Sequence, residues 1–507
     1  MTVMTTALLQ TIVVPILATI GAELDISDTA VGWSVTVNLL AAAVLTPLLS
    51  RLGDQFGRRR MLLGIMLVVA AGSLLAALTT SLLFLLIARA LQGSAFGLFP
   101  LAIGVLRDAM PAARLTGSMA MVSGALGFGG GVGLVVTGLL TRDGGDYHRV
   151  FWFALAASLL AMAMLGVSVP ADGPIRHGRV DWAGAALLGA GLVALLLPIS
   201  RGSEWGWGSP QTLGCFAAAI VLLAALALVE RSVGEPIVAL DVLANRSLSI
   251  TTVTGAFIGF AMFVSFLSIS AFVQSPAEDG FGFSATVLAT SCVYLLPAAL
   301  VGVVAAPVGG RLVRRLGARR VLALSSFIGS AGFAQLAWLH DEPWHLVLGG
   351  VITNGAVSMG FATLPALIVA EVRPDQTSVA TGVNSIARSF GSALGSAFVV
   401  TLLSVGGDRP GRQMFIVVFL TGCAALLVCT IVSLLLPRTP AGRHQDRTPE
   451  QTATAGAAEW ASAPQTSPPS PPDTTTQQPD HHQEKPHESR ADHHSRWTRR
   501  PRPQPGP

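Results

Sequence analysis

The chain has 507 residues, of which 51% are hydrophobic and only 12% charged, with a mean hydropathy of +0.62. A soluble globular domain carries about a quarter charged residues, so that class is excluded. The net charge of +4 does not mark a nucleic-acid partner, because the basic residues sit in short loops rather than on one face. What remains is an all-α polytopic membrane protein.

A helix crosses a bilayer with about 20 mainly apolar residues. Runs of that length read at 3–21, 31–50, 61–79, 82–103, 117–140, 150–169, 181–199, 213–230, 248–272, 285–307, 319–339, 345–370, 381–405 and 414–436. The sequence therefore predicts fourteen spans. The first begins almost at Met1 with no basic lead, so no secretory signal is expected. Either the N-terminus is naturally short or the assigned start is internal. Cys215, Cys292, Cys423 and Cys429 all fall inside apolar runs and read as small buried hydrophobes, with no metal-ligand spacing.

Alternate loops collect arginine: Arg51/Arg58/Arg59/Arg60, Arg107/Arg114, Arg176/Arg179, Arg231/Arg246, Arg311/Arg314/Arg315/Arg319/Arg320 and Arg373. The intervening loops carry Glu23/Asp25/Asp28, Glu278/Asp279 and Asp341/Glu342, with Arg142/Arg149, Arg201 and Arg409/Arg412 as exceptions. Positive loops stay inside, so both termini are expected in the cytoplasm, as an even span count also requires. From Pro437 the chain turns rich in Pro, Ser, Thr, Gln and His. A solvated, disordered tail over 437–507 is expected, although the pairs His481/His482 and His493/His494 could catch a metal ion.

Two loops repeat. Aligned at Gly57 and Gly317, "RLGDQFGRRR" and "RLVRRLGARR" share Arg51/Arg311, Leu52/Leu312, Arg59/Arg319 and Arg60/Arg320. Each joins the second and third span of a six-span unit. The expected organisation is one six-helix bundle at 1–170, a linker with two additional spans at 171–246, and a second bundle at 247–436. In "SRLGDQFGRRR", Asp54, Gly57, Arg58 and Arg59 match the loop motif G-x-L-x-D-x-x-G-R-[RK]. "RALQG", Arg89 to Gly93, matches the span-four motif R-x-x-Q-G. "VDWAGAALLGAGLVALLLPISRGSEWGWGSP" and "ATGVNSIARSFGSALG" resemble the opening of the two extra spans and the thirteenth span of one group.

Over about 1–436 the chain thus resembles the major facilitator superfamily, and within it the fourteen-helix drug:proton antiporter group. The resemblance implies two six-helix bundles around a midplane cavity, with two inserted helices and alternating access. It implies that Asp54 pairs with arginine and a helix end of the opposite half, so that Asp54, Gly57, Arg58 and Arg59 form a conformational latch. It also implies that Arg89 lines the cavity and takes part in proton transfer. Departures stand at Ser50, at Arg314 where the first loop has aspartate, at Gln10 where the group has a membrane aspartate, and at Gly131-Val132 where it has Gly-Pro.

Read as residues, Arg89 is a cation inside a span, costing about 2.5–3.5 kcal/mol on insertion scales unless it meets water or a partner, or snorkels. Gln92, one turn on, shares its face. Gln10, Asn38, Phe266, Tyr294, Asn354 and Arg388 are polar or aromatic groups in apolar runs and are the candidate cavity and substrate contacts. Glu371 and Asp108, at span ends, are fallback proton carriers. Gly117, Gly124, Gly127, Gly131 and Gly138 occupy one arc of about 80°. Gly382, Ser385, Ser389, Ser392 and Ser396 make a matching small-residue stripe, and both suggest surfaces that pack closely and slide.

No catalytic signature or Walker loop appears, so neither enzyme activity nor direct ATP drive is expected. No cofactor is expected; the energy source is a proton gradient, worth about 2.3 kcal/mol per charge per 100 mV. The expected partners are the bilayer, protons and a small-molecule substrate, the expected place is a bacterial inner membrane, and the expected state is a monomer. The function read from all this is export of amphipathic molecules by proton antiport. Its rivals are a narrow-substrate metabolite or lipid transporter, including a uniporter, and a non-transporting sensor or scaffold.

Overall fold

The computed structural model describes residues 2–109, 129–142, 146–169, 181–232, 245–371, 377–404 and 411–436, without the side chains of 28, 54, 107–109, 203, 204, 279, 369–371 and 377–379. The expected tail at 437–507, with its histidine pairs, lies outside the described residues. So do Gly117, Gly124 and Gly127.

Thirteen of the described helices are long and apolar enough to cross a membrane, and a shorter apolar helix completes fourteen. In chain order these are α1 (Thr2–Leu24), α2 (Asp28–Phe56), α3 (Arg58–Leu78), α4 (Leu82–Leu106) and the short α5 (Gly129–Leu140). Next come α6 (His148–Ser168), α7 (Trp182–Trp205), α8 (Pro210–Glu230), α9 (Arg246–Gln274) and α10 (Val287–Leu316). The last are α11 (Ala318–Trp338), α12 (Pro343–Glu371), α13 (Thr377–Ser404) and α14 (Arg412–Leu434). All fourteen runs read from the sequence correspond to one of these.

Local chemistry sets several starts. Ser27 accepts from the Ala30 amide, Asp181 from Gly184, Ser209 from Thr212 with Pro210 in the first turn, and Asn245 from Ser247 and Leu248. Each side-chain oxygen caps an amide that the helix leaves orphaned. Three helices are broken inside the span, each beside a proline. α1 tightens to a 3₁₀ turn at Val14–Ile16 around Pro15, and α4 does so at Ser94–Gly97 just before Pro100. α10 widens to a π segment at Thr290–Leu295 just before Pro297. Proline lacks the amide for the i−4 carbonyl and its ring crowds that carbonyl, so the helix must change its turn.

The two bundles use the same pairings. α3 packs on α6 and α2 on α4 in the first, as α11 packs on α14 and α10 on α12 in the second. α1 meets α5 where a Cβ on Gly133 would touch the Leu8 carbonyl at 3.1 Å. α9 meets α13 where a Cβ on Gly395 would lie 2.6 Å from the Phe260 carbonyl. The bundles join through α2 with α13 and α5 with α10. There Thr36 Oγ1 donates to Ser396 Oγ at 3.2 Å, and Cβ atoms on Gly131 and Gly138 would touch Leu296 and Leu288 at 3.2 and 2.8 Å. The described part of the small-residue stripe of α5, Gly131 and Gly138, therefore lies between the bundles. That of α13 is divided, with Ser392 Oγ 2.9 Å from where a Cβ on Gly259 of α9 would stand in its own bundle and Ser396 across the interface. The inserted α7 and α8 pair with each other, and α7 lies against α2 and α13, taking a hydrogen bond from Thr401 Oγ1 at Ile199 O (3.1 Å).

The repeated loops share a backbone. Gly57 (φ +99°, ψ 133°) and Gly317 (φ +84°, ψ 148°) each turn the chain between two long helices in a region open essentially to glycine. A Cβ on Gly317 would meet nothing within 4 Å, and the same holds for Gly310 inside α10. Gly317→Ala is therefore expected to lose about 1–3 kcal/mol through backbone strain alone, while Gly310→Ala is expected to be neutral or to gain up to about 1 kcal/mol of helix propensity. Thermal unfolding of the purified variants in one detergent checks this; equal losses at both positions would refute the backbone account.

Candidate functional site

The arginine-rich side contains the loop motif. Arg58 Nη1 donates to Gly104 O of α4 at 2.8 Å, and Arg59 Nη2 to Gly166 O near the end of α6 at 2.6 Å. In the second bundle Arg319 Nη2 donates to Leu434 O at the end of α14. The motif arginines so cap helix C-termini of their own bundle, where orphaned carbonyls and the negative end of the dipole favour a cation. The Asp54 side chain, and with it the pairing expected across to the other half, lies outside the described residues, as do the side chains of Glu371 and Asp108.

Arg89 is the centre of the buried polar chemistry. It lies two turns into α4, 1% exposed. Its Nε donates to Ser34 O of α2 at 3.1 Å, and its Nη1 to Gln92 Oε1 at 2.6 Å and Leu9 O of α1 at 3.4 Å. Gln92 Nε2 passes the chain on to Ser73 Oγ of α3 at 3.0 Å, and Asn38 Nδ2 of α2 donates to Arg89 O at 2.9 Å. One guanidinium thus ties four helices together, and no carboxylate among the described residues touches it. In this state Arg89 is closed in by its own bundle. Four helices converge on it because its charge can be solvated only by their carbonyls and amides. Ser34 Oγ, buried beside it, has no hydrogen-bond partner.

The other sequence candidates fall in separate places. Gln10 is half-buried on α1, next to Leu9. Phe266 is buried in α9 at 9% exposure. Tyr294 lies in the π segment of α10 and stacks on Phe283, with centroids 6.1 Å apart. Asn354 accepts from Ser358 Oγ on α12 at 3.3 Å, both facing Gly302 of α10. Arg388 on α13 sits 5.3 Å from the ring centre of Phe361 on α12. The structure therefore gathers Gln92 and Asn38 around Arg89, with Gln10 one residue from Leu9, and does not gather the rest with them.

Two clusters on the acid-rich side escaped the sequence reading. His340 is 3% exposed. Its Nδ1 donates to Leu336 O at 3.0 Å, and its Nε2 faces Arg412 Nε at 2.9 Å. Arginine can only donate, so Nε2 accepts and the ring is neutral. Arg412 also pairs with Asp341 at 2.7 Å. Burial first, and the Arg412 charge second, hold the His340 pKa below the ordinary histidine value. In the second cluster Tyr147 donates to Thr79 O at 2.9 Å, and its phenol is pushed up to about 12 by burial and by Glu23 and Asp146. Glu23, Asp146 and His148 each bring one potential ligand atom within 4.8 Å of one another, the group among the described residues that could hold a metal. Both acids are exposed. A short i, i+2 spacing hints at Asp146 and His148, but nothing in the sequence joins them to Glu23.

Two outcomes follow. Replacing a buried ion pair by apolar side chains of similar volume is commonly neutral or stabilising by about 1–4 kcal/mol, and a buried cation without a counter-ion lacks even the pair's Coulombic gain. Arg89→Met is accordingly expected to unfold no earlier than the wild type; a collapse of thermal stability would make Arg89 a structural clamp instead. His340 has a depressed folded pKa, so its contribution is present above the unfolded value of about 6.5 and is lost as pH falls below it. Melting curves should therefore show the wild type losing ground to His340→Gln between pH 7.5 and 5.5, and parallel curves would contradict this.

Comparison with known proteins agrees with the architecture. A model of the Major Facilitator Superfamily matches residues 1–396 and 254–471. A tetracenomycin C resistance and export protein of Streptomyces glaucescens is 28% identical, over 81% of this chain and 76% of its own. A puromycin resistance protein of Streptomyces alboniger is 30% identical, over 76% of each chain. Among solved structures, the nucleoside transporter NupG (TM-score 0.58, 14% identity) covers 86% of this chain and 96% of its own. The xylose transporter XylE of E. coli (TM-score 0.57, 13% identity) covers 86% and 97%. With fourteen helices in two matched bundles and a family model that runs through both, the chain belongs to the Major Facilitator Superfamily, a family of membrane transporters rather than enzymes.

Proposed function

We propose that the protein is a secondary active exporter of amphipathic small molecules, driven by proton antiport through alternating access. It would work in a bacterial inner membrane as a monomer, with both termini and the arginine-rich loops in the cytoplasm. The observation that carries the reading is Arg89, a buried cation held by carbonyls of α1 and α2 and by Gln92, itself bonded to Ser73 of α3, with no acid in contact among the described residues. Such a charge is a stability cost that a merely structural helix would not keep. In this state it touches no acid among the described residues, and it would lower the pKa of any carboxyl group brought to it by a shift of α1 or α4. Both helices are already broken in mid-span at Pro15 and Pro100.

The contacts between the bundles support the second half of the reading. Thr36–Ser396, Gly32 against Val400 and Gly138 against Leu288 all lie towards the acid-rich ends of their helices. Under the proposed topology this is a state closed on the outside. Opening would separate small-residue surfaces, which have few interlocking side chains to unpack. Resistance and export names among the relatives point to amphipathic cargo. A second reading, uniport of one specific molecule, is favoured by the uncharged Gln10 and by Val132.

Cells stripped of their own pumps, expressing the chain, are expected to extrude ethidium, and a protonophore should abolish the extrusion. Arg89→Met should reach the membrane and fail to extrude, whereas removal of 437–507 should leave the flux intact. Efflux that persists under protonophore would remove antiport in favour of uniport. Loss of function on removing the tail alone would favour the scaffold.

A further inference from the structure

Arg388 is a second cation embedded in a span, and unlike Arg89 it is not clamped. It stands eight residues into the apolar span Ala380–Ser404 of α13, about 12 Å along the helix, within a hydrocarbon layer about 30 Å thick. Its guanidinium carbon lies 5.3 Å from the centre of the Phe361 ring. Among the described residues its N–H groups have no hydrogen-bond or ion-pair partner. Neighbouring polar groups on α13 are already engaged: Asn384 Nδ2 donates to Thr251 O at 3.2 Å, and Ser392 Oγ to Arg388 O at 3.0 Å. On α12, Asn354, Ser358, Phe361 and Pro365 follow one face at spacings of 4, 3 and 4, and none of them is fully buried. A free guanidinium and an accessible aromatic ring therefore meet deep in the membrane-spanning part.

We propose that Arg388 and Phe361 form a subsite for an organic anion, a carboxylate or phenolate carried on an aromatic body. A guanidinium offers a rigid fork of donors that matches a carboxylate two bonds at a time, which an ammonium cannot do. Phe361 holds the cation on its face and offers apolar surface to the rest of the ligand. No acid among the described residues neutralises Arg388, so binding is strongest for molecules that bring a counter-charge. A lipid phosphate offers the same chemistry. Arg388 stands inside the apolar span and not at its end, which favours a bound molecule over a bilayer lipid as the anion. Calling that molecule cargo rests on the transport reading above; the subsite itself does not.

The test uses the full chain in nanodiscs of phosphatidylcholine alone, with pyrenebutyric acid and its methyl ester as probes and fluorescence titration as readout. The wild type is expected to bind the acid about tenfold more tightly than the ester. Arg388→Gln should remove that preference by weakening the acid, Arg388→Lys should keep part of it, and Phe361→Ala should weaken acid and ester together. No preference in the wild type, or a preference that survives in Arg388→Gln, overturns the subsite. So does equal weakening of both probes by Arg388→Gln and Arg388→Lys. Repetition with phosphatidylglycerol in the disc separates the sources: competition with the acid would assign the anion to a lipid headgroup and overturn the proposal for cargo. Proteoliposome flux separates the two readings, because an acid preference without flux would remove transport and leave the subsite standing.

Discussion

Every backbone amide and carbonyl within the hydrocarbon layer must find its partner inside the protein, and this constraint shapes the whole molecule. It explains why the described structure is helical, and why its irregular turns sit where they do. The 3₁₀ turns of α1 and α4 are mostly buried among neighbouring helices, and the π segment of α10 is buried on one face, at Thr290, Ser291, Tyr294 and Leu295, while Val293 is exposed. The same requirement recruits side chains. Thr6 Oγ1 of α1 donates to Ala95 O in the broken stretch of α4 at 2.9 Å, and Thr11 Oγ1 donates to Gly130 O of α5 at 3.1 Å. Arg89 extends that economy of carbonyls to a full charge. Helices that share a guanidinium cannot drift apart without stranding it.

Lipid supplies no hydrophobic force between helices, so association depends on close approach. Glycine on α13 lets the backbone of α9 come close enough that Cβ atoms on Gly391 or Gly395 would collide with the Ala256 or Phe260 carbonyl. The large exposed side chains, such as Leu83, Phe84, Ile220 and Val221, lie on the outer faces of α4 and α8, where lipid rather than protein receives them. A soluble protein sorts apolar residues inward. Here the small ones are inward and the large ones are divided between core and lipid.

The spans, their number and the internal duplication were legible because each depends on composition over a long window or on local backbone geometry. The alignment at Gly57 and Gly317 rested on a few letters, and both residues adopt the same rare φ. Arg59 and Arg319 likewise reach the same place in each bundle. The polar site was legible only in part. Arg89, Gln92 and Asn38 announce themselves as polar residues in apolar runs, but the acceptors on Leu9 and Ser34 are carbonyls, which every residue has. No sequence signal selects them. Phe361 was invisible for a similar reason: one phenylalanine among 22 becomes informative only when a cation is found over its ring. The clusters around His340 and Glu23 join residues from separate helix ends, and only the packing of the bundles brings them together.

The π segment of α10 has a consequence for how one rod can serve two partners. A wider turn advances less around the axis per residue, so the helix beyond Leu295 is rotated relative to the helix before it. Leu288, ahead of the segment, and Leu296, directly after it, address Gly138 and Gly131 in the opposite bundle, while Gly302, further along, addresses Asn354 and Ser358 of its own. The segment works as a phase shifter between two seams that an unbroken helix would present at a fixed angle. A π turn can also be exchanged for an α turn by migration of hydrogen bonds along the rod, without unfolding it. Such a migration would re-index the part of α10 beyond it against its own bundle while the part ahead of it keeps its register with the other, a small gear at the boundary between the two.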